Sequence, residues 1–253
     1  MKFEIKNLQV KINNKIMLDQ ISFSLKTGDV LLVSGNNGSG KTTLLKTIMK
    51  HFSIAISKGN IILNSVILNK LNTKDIAKLG IFYLPQNSIE LQGIQTLNFL
   101  RIINDNNKKI PFPQLYKSID NFSTKFNLNN ELLLRSLNVG FSGGQKKKIE
   151  LLQSQIFDAQ MLLIDEIDSG VDHDSINKII EYINRIKKDK IIIIVSHNFS
   201  FIKKINPNKV ILINQGKIIK IGDNELVNEI ETKGVNFFIK NIKKKYICKL
   251  IKK

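Results

Sequence analysis

Eight residues, Gly35-Asn36-Asn37-Gly38-Ser39-Gly40-Lys41-Thr42, restrict the fold of this chain more than any other stretch. They follow the apolar run Val30-Leu31-Leu32-Val33 and precede a helical pattern from Thr42 to Met49, with Leu44, Leu45 and Ile48 on one face. A strand, a glycine-rich turn and a helix in that order fit G-x-x-x-x-G-K-[ST] in full. The glycines let backbone N–H groups wrap phosphate oxygens, and the helix N-terminus adds its positive end. Lys41 is then expected to reach the β- and γ-phosphates of a nucleotide and Thr42 to ligate Mg²⁺, with Thr43 beside it.

The rest of the chain follows the same strand and helix alternation. Two strands flank a polar turn at Asn13-Asn14, and another turn falls at Thr27-Gly28-Asp29. Residues 59 to 68 and Gly80 to Leu84 read as strands. Residues 89 to 157 differ: periodic apolar positions, few strand signals and the Pro111-Phe112-Pro113 break predict a mostly helical insertion. Two strongly apolar runs follow, Met161 to Ile164 and Ile191 to Val195, separated by a helix with Ile176, Ile179, Ile180 and Ile183 inward. Continuous apolar runs between helices predict an α/β fold with a largely parallel sheet. Val210 to Asn214 and Lys217 to Ile221 around Gln215-Gly216 read as a closing hairpin.

Composition excludes several classes. One cysteine, Cys248, allows no disulfide framework and no thiolate cluster, so no iron-sulfur cluster is expected on this chain. Apolar runs of four or five residues are far below a membrane span. From Met1 the chain enters the strand-like Phe3-Glu4-Ile5-Lys6-Asn7-Leu8 without a leader pattern, so an organellar site would call for encoding there or removal of a leader. The net charge of +18 invites a nucleic-acid reading, yet the only arginines are Arg101, Arg135 and Arg185. Arginine supplies the fork that grips phosphates and bases. A Lys-, Asn- and Ile-rich chain reads more readily as drift in an AT-rich genome, and no specific nucleic-acid partner is expected.

Further motifs sit at the ends of the apolar strands. Met161-Leu162-Leu163-Ile164-Asp165-Glu166 ends in two carboxylates, an arrangement that places one acid beside Mg²⁺ and the next where it can take a proton from water. Phe141-Ser142-Gly143-Gly144-Gln145 resembles the signature of ABC ATPases, and Ser196-His197 resembles their switch histidine. Gln86, after Phe82-Tyr83-Leu84-Pro85, resembles the Q-loop glutamine, and Asp168-Ser169-Gly170-Val171-Asp172 resembles the D-loop. The resemblance implies an ABC ATPase fold: a RecA-like core over residues 1–88 and 158–238, an N-terminal antiparallel β region, and an inserted helical subdomain over 89–157. It implies ATP and Mg²⁺ as ligands, with Thr42, Gln86 and Asp165 at the metal, and Glu166, His197, Gln86 and Lys41 as catalytic groups. Ser142, Gly143, Gly144 and Gln145 would face the nucleotide of a second copy, in a transient ATP-dependent homodimer.

Within that family, Arg135 to Gln153 and Asp165 to Asp172 depart from the usual transporter pattern and resemble the SufC ATPases of iron-sulfur cluster assembly. That likeness runs from about residue 3 to 238 and implies SufB and SufD scaffold partners, in a plastid stroma or a bacterial cytoplasm. Gln145 stands where those ATPases usually carry Glu. Where many ABC proteins stack an aromatic on adenine, the best match is Ile12 or Val10, and Lys147 is expected to pair with Glu166 in the resting monomer. The same site would serve the ATPase subunit of a membrane transporter, or an ABC protein that handles nucleic acid. Residues 239–253 add a basic extension with seven lysines and apolar residues at helical spacing. Either a helix docked on the domain or peripheral contact with anionic membrane accounts for it.

Overall fold

A computed structural model describes residues 1–241 of the 253. The predicted tail therefore lies almost wholly outside the described residues. The chain opens with β1 (Lys2–Ile12), β2 (Lys15–Lys26), β3 (Val30–Ser34) and α1 (Lys41–Ile48). Next come β4 (Ala55–Leu63), β5 (Val66–Ile67), α2 (Thr73–Lys78) and β6 (Ile81–Leu84). Between β6 and the next core strand lie β7 (Leu91–Gln95), α3 (Thr96–Asn106), α4 (Phe112–Phe126), α5 (Glu131–Leu134), β8 (Ser136–Leu137) and α6 (Gly143–Ile156). The remainder is β9 (Met161–Asp165), α7 (His173–Ile186), β10 (Ile191–Val195), α8 (Phe199–Ile205), β11 (Lys209–Asn214), β12 (Lys217–Gly222) and α9 (Asn224–Lys233).

Six strands form the central sheet in the order β12-β11-β3-β10-β9-β6. All neighbours pair in parallel except the β11–β12 hairpin. Every residue of β3, β9 and β10 is buried, which explains why these strands read as unbroken apolar runs instead of alternating ones. Alternate side chains serve different cores. Leu32, Leu162, Ile164, Ile192 and Ile194 pack with the helices α4, α6, α7, α8 and α9. Leu31, Val33, Met161, Leu163, Ile193 and Val195 pack with α1 and a second, antiparallel sheet, β2-β1-β4-β5.

The segment predicted as helical is mostly so, but β7 and β8 add a short antiparallel pair within it. Two residues of β8 carry no periodicity that a sequence reading could register, and their pairing with Leu91 and Gln95 spans about forty residues of intervening chain. Among the described residues, no helix is long and apolar enough to cross a membrane.

Ile193 is fully buried in the middle of β10, on the face toward α1. Truncation to Ala should cost about 2–5 kcal/mol through lost burial and the cavity left behind. Urea unfolding monitored by circular dichroism would check the loss, with an unchanged m-value expected.

Candidate functional site

The C-terminal ends of four parallel strands meet at one edge of the sheet. Val195 lies opposite both Val33 and Asp165, and Leu84 lies opposite Ile164. The loop after β3, the carboxylates at the end of β9, Ser196-His197 after β10 and Gln86 after β6 are thereby gathered where an open α/β sheet binds ligands. Members of each group border a cavity of about 360 Å³ lined by Met17, Asn37, Gly38, Gly40, Lys41, Thr42, Thr43, Gln86, Glu166 and His197, with Asp165 and Ser196 buried behind its wall.

The loop is folded as a cradle. Lys41 Nζ donates to the carbonyls of Gly35 at 2.9 Å and Asn36 at 3.0 Å, so the lysine closes the loop that carries it. Gly35 has no room for a side chain, since a Cβ there would meet the Ile213 carbonyl oxygen at 2.1 Å. Gly38 is the opposite case: at φ +74° it faces open space, where the backbone can approach a ligand. The Ser39 hydroxyl is buried without a partner among the described residues. Burial pushes the Lys41 ammonium pKa down, while Glu166 and Asp165 push it up.

Beside the cradle lies a set of hard oxygen donors. Thr42 Oγ1 donates to Asp165 Oδ1 at 3.2 Å, and Tyr83 Oη donates to Asp165 Oδ2 at 3.0 Å. Asp165 is almost fully buried, and that burial raises its pKa against the lowering effect of the two hydrogen bonds. Burial of the Tyr83 phenol, with the Asp165 carboxylate beside it, holds its pKa well above the ordinary value. Glu166 turns the chain at φ 49°, an uncommon conformation for a non-glycine residue, with its N–H bonded to the Val195 carbonyl at 2.9 Å. Its carboxylate accepts from Gln86 Nε2 at 2.6 Å and lies 3.8 Å from His197 Nε2. Burial lowers the His197 pKa, and Lys41 adds to the effect, with Glu166 and Asp168 opposing it. Hydroxyl, carboxylate and amide oxygens suit Mg²⁺, which favours oxygen ligands.

Ser142, Gly143, Gly144 and Gln145 line no part of this cavity. They begin α6, where Ser142 Oγ accepts from Gln145 N–H at 3.3 Å and Gln145 Oε1 accepts from Ser142 N–H at 2.9 Å. Gln145 thus completes a reciprocal cap on the helix start. A Cβ on Gly143 would meet the Gly170 carbonyl at 2.3 Å, so this helix start packs tightly on the turn after Glu166.

Two expectations need correction. Lys147 does not pair with Glu166. It is buried, donates to the carbonyls of Pro85 at 2.6 Å and Gln86 at 2.8 Å, and pairs with Glu150 at 3.3 Å. The buried acid one turn along its own helix captures the ammonium, and Gln86 takes the place beside Glu166. Val10 and Ile12 do not border the cavity: Val10 is fully buried in the core and Ile12 packs against it, while Met17 on β2 lines the site. Three register shifts along β1 and β2 defeat a count of positions. Tyr83 also escaped the sequence reading, because its partner Asp165 lies 82 residues away and is reached only through β6–β9 pairing.

The model of the family described as ABC transporter matches residues 18–169. This chain belongs to that family. It is an ABC ATPase, and the family implies ATP and Mg²⁺ as its ligands. It is 33% identical over 243 residues to the "Probable ATP-dependent transporter ycf16" of Antithamnion sp., covering 93% of this chain and 97% of that protein. A "Probable ATP-dependent transporter" of Synechocystis sp. is 35% identical, covering 92% and 94%. A "Probable ABC transporter ATP-binding protein" of Streptococcus pyogenes serotype M18 is 34% identical, covering 91% and 92%. In fold, the chain matches the ATP-binding subunit of an ABC transporter with TM-score 0.78 at 19% identity, covering 93% of this chain and 94% of that one. A dimeric, post-hydrolysis ATP-binding cassette bound to ADP and phosphate matches with TM-score 0.76 at 17% identity, covering 88% and 98%.

This ABC ATPase should lose about 3–5 kcal/mol on Lys147→Ala substitution, because Glu150 would be left buried and unpaired. Chemical denaturation of that variant against Lys147→Ala/Glu150→Leu, expected to recover much of the loss, checks the cause. The depressed His197 pKa gives a pH signature as well. The unfolded imidazole binds its proton more readily, so stability should fall as pH drops below about 6.5, the ordinary value. His197→Gln should flatten that slope in unfolding curves taken between about pH 8 and 5, a range spanning the ordinary histidine value.

Proposed function

We propose that this ABC ATPase is the motor subunit of the Suf iron-sulfur cluster assembly machinery, partnered by SufB and SufD scaffold proteins. Its setting is then a plastid stroma or a bacterial cytoplasm. The stretches Arg135 to Gln153 and Asp165 to Asp172 carry the reading, since they resemble SufC ATPases and depart from the transporter pattern. Residues 89–157 act as the helical subdomain that moves against the core of residues 1–88 and 158–238.

In this reading Lys41 and the loop from Gly35 to Thr43 hold the phosphates of ATP, while Thr42, Asp165 and Gln86 hold Mg²⁺. The metal, when bound, supplies charge neutralisation at the phosphates. Glu166 takes the proton from attacking water, and its 2.6 Å bond to Gln86 orients the carboxylate that does so. His197, kept neutral by burial, presents an imidazole N–H to the γ-phosphate. Ser142, Gly143, Gly144 and Gln145 begin a helix that lies off the cavity of their own chain, which supports their use on the nucleotide of a second copy. ATP-driven pairing of two copies would then move the scaffold.

The names of the relatives favour a second reading, the ATPase subunit of a membrane transporter. A groove of about 250 Å³ beside Gln86, lined by Phe82, Pro85, Ile89, Leu91, Phe99 and Leu137 among others, suits an apolar docking element in either case. Affinity purification from the native source separates the two. Soluble scaffold proteins are expected, and a partner that requires detergent would replace the first reading by the second.

Glu166→Gln should bind ATP normally, lower turnover by about 100-fold or more, and accumulate a dimer with ATP in light-scattering chromatography. Undiminished turnover would remove Glu166 from the role of base.

A further inference from the structure

A second cavity, of about 530 Å³, opens between α4 and the C-terminal end of α7 and shares no lining residue with the ATP site. One wall is a stripe of α4 carrying Lys117 and Lys125, and the other carries Arg185 and Lys190. Among the described residues, none of these four cations has a carboxylate within ion-pair distance. Asp158 also lines the cavity, but Lys108 engages it at 3.1 Å. At the adjoining end Glu181 shares a small pocket with Lys125, Lys178 and Arg185, one carboxylate among three cations, and Asp189 acts on Lys190 against Lys108. The concavity is therefore left with a surplus of positive charge.

Two of the cations are already held in place. The Arg185 guanidinium lies 5.2 Å over the ring of Tyr182, and that buried ring is wedged edge-on against Phe122 and Phe126. Of the three arginines, Arg135 spends its fork on the carbonyls of Val139 and Gly140, and Arg101 stacks on Phe112. Arg185 makes no such bond among the described residues, and its fork stays available at the cavity. Lys190 is anchored through its ammonium on the Ala159 carbonyl. Burial lowers its pKa, Asp158 opposes that effect and Lys108 adds to it.

We propose that this groove binds a small phosphate-bearing anion, gripped by the Arg185 fork together with Lys117, Lys125 and Lys190. A planar fork matches paired phosphate oxygens, and lysines add point charges around it. Gln114, Ser118 and Asn121 line the same walls and offer neutral donors to the remaining oxygens, the Ser118 hydroxyl being held by Gln155 Nε2, which donates to it at 3.3 Å. The volume falls within the usual range for small ligands, about 300–1,000 Å³. A bound anion would join α4 to α7, and so bridge the segment inserted between β6 and β9 to the helical layer of the central sheet.

Calorimetric titration of the full chain with pyrophosphate tests the site. Two binding events are expected, one removed by Lys41→Ala and the other weakened about tenfold or more by Lys117→Gln/Arg185→Gln. The double variant should keep its ATPase turnover, which shows that it is folded. Repeating the titration with ADP in the Lys41→Ala chain separates the sources: tighter binding than pyrophosphate assigns a nucleotide, and equal or weaker binding assigns a bare phosphate chain. A single event that disappears in Lys41→Ala would overturn the proposal. So would an equal weakening by Lys70→Gln/Lys74→Gln, two exposed lysines outside the groove, because general charge would then explain the binding.

Discussion

Parallel pairing of β3, β10 and β9 underlies everything else in this molecule. All fifteen residues of these strands are buried, so the sheet is held by apolar side chains on both faces as well as by its hydrogen bonds. Because the strands run in one direction, their C-terminal ends fall on a single edge, and Val33, Asp165 and Val195 stand in register there. The phosphate loop, the two carboxylates and His197 are consequences of that register. A slip of one residue would exchange the two cores and turn Asp165 away from Thr42.

The site is assembled from residues that restrain one another before any ligand arrives. Lys41 is folded onto the carbonyls of its own loop, Asp165 is held by Thr42 and Tyr83, and Glu166 is held by Gln86. These contacts hold charged and polar groups in place around the cavity, so a ligand entering it would exchange partners with little ordering of loose side chains. The Lys147 ammonium extends the network. Its bonds to the carbonyls of Pro85 and Gln86 connect the signature helix α6 to the residue that touches Glu166. Gly143 packed on Gly170 gives the same helix a second contact, with the turn that follows Glu166.

Much of the fold was legible because its signals are local. Gly35 to Thr42 declares a strand-turn-helix unit within a dozen residues, the runs at 161–164 and 191–195 declare buried parallel strands, and Asn13-Asn14 and Gln215-Gly216 mark tight turns with positive φ. Lys41, Thr42, Asp165, Glu166, Gln86 and His197 all belong to short motifs and could be named on that basis. What could not be read is carried by pairing between distant segments. Tyr83 reaches Asp165 only because β6 lies beside β9, and Met17 reaches the cavity through a hairpin whose register shifts three times.

The amino-acid sequence by itself determined the class of the fold, the central strands with their flanking helices, and which residues are candidates for the chemistry, because each rests on periodicity or on a motif a few residues long. Only the tertiary structure decided which charges meet. Lys147 could meet Glu150 on its own helix or Glu166 at the end of β9, and it turns inward to the first, because that helix face is buried and the carbonyls of Pro85 and Gln86 complete the ammonium's bonds. Arg185, one of three arginines in a lysine-rich chain, likewise acquires its meaning from Tyr182 beneath it and α4 across from it. Charge pairing depends on burial and on distances between segments, and position along the chain fixes only the nearest neighbours on one helix.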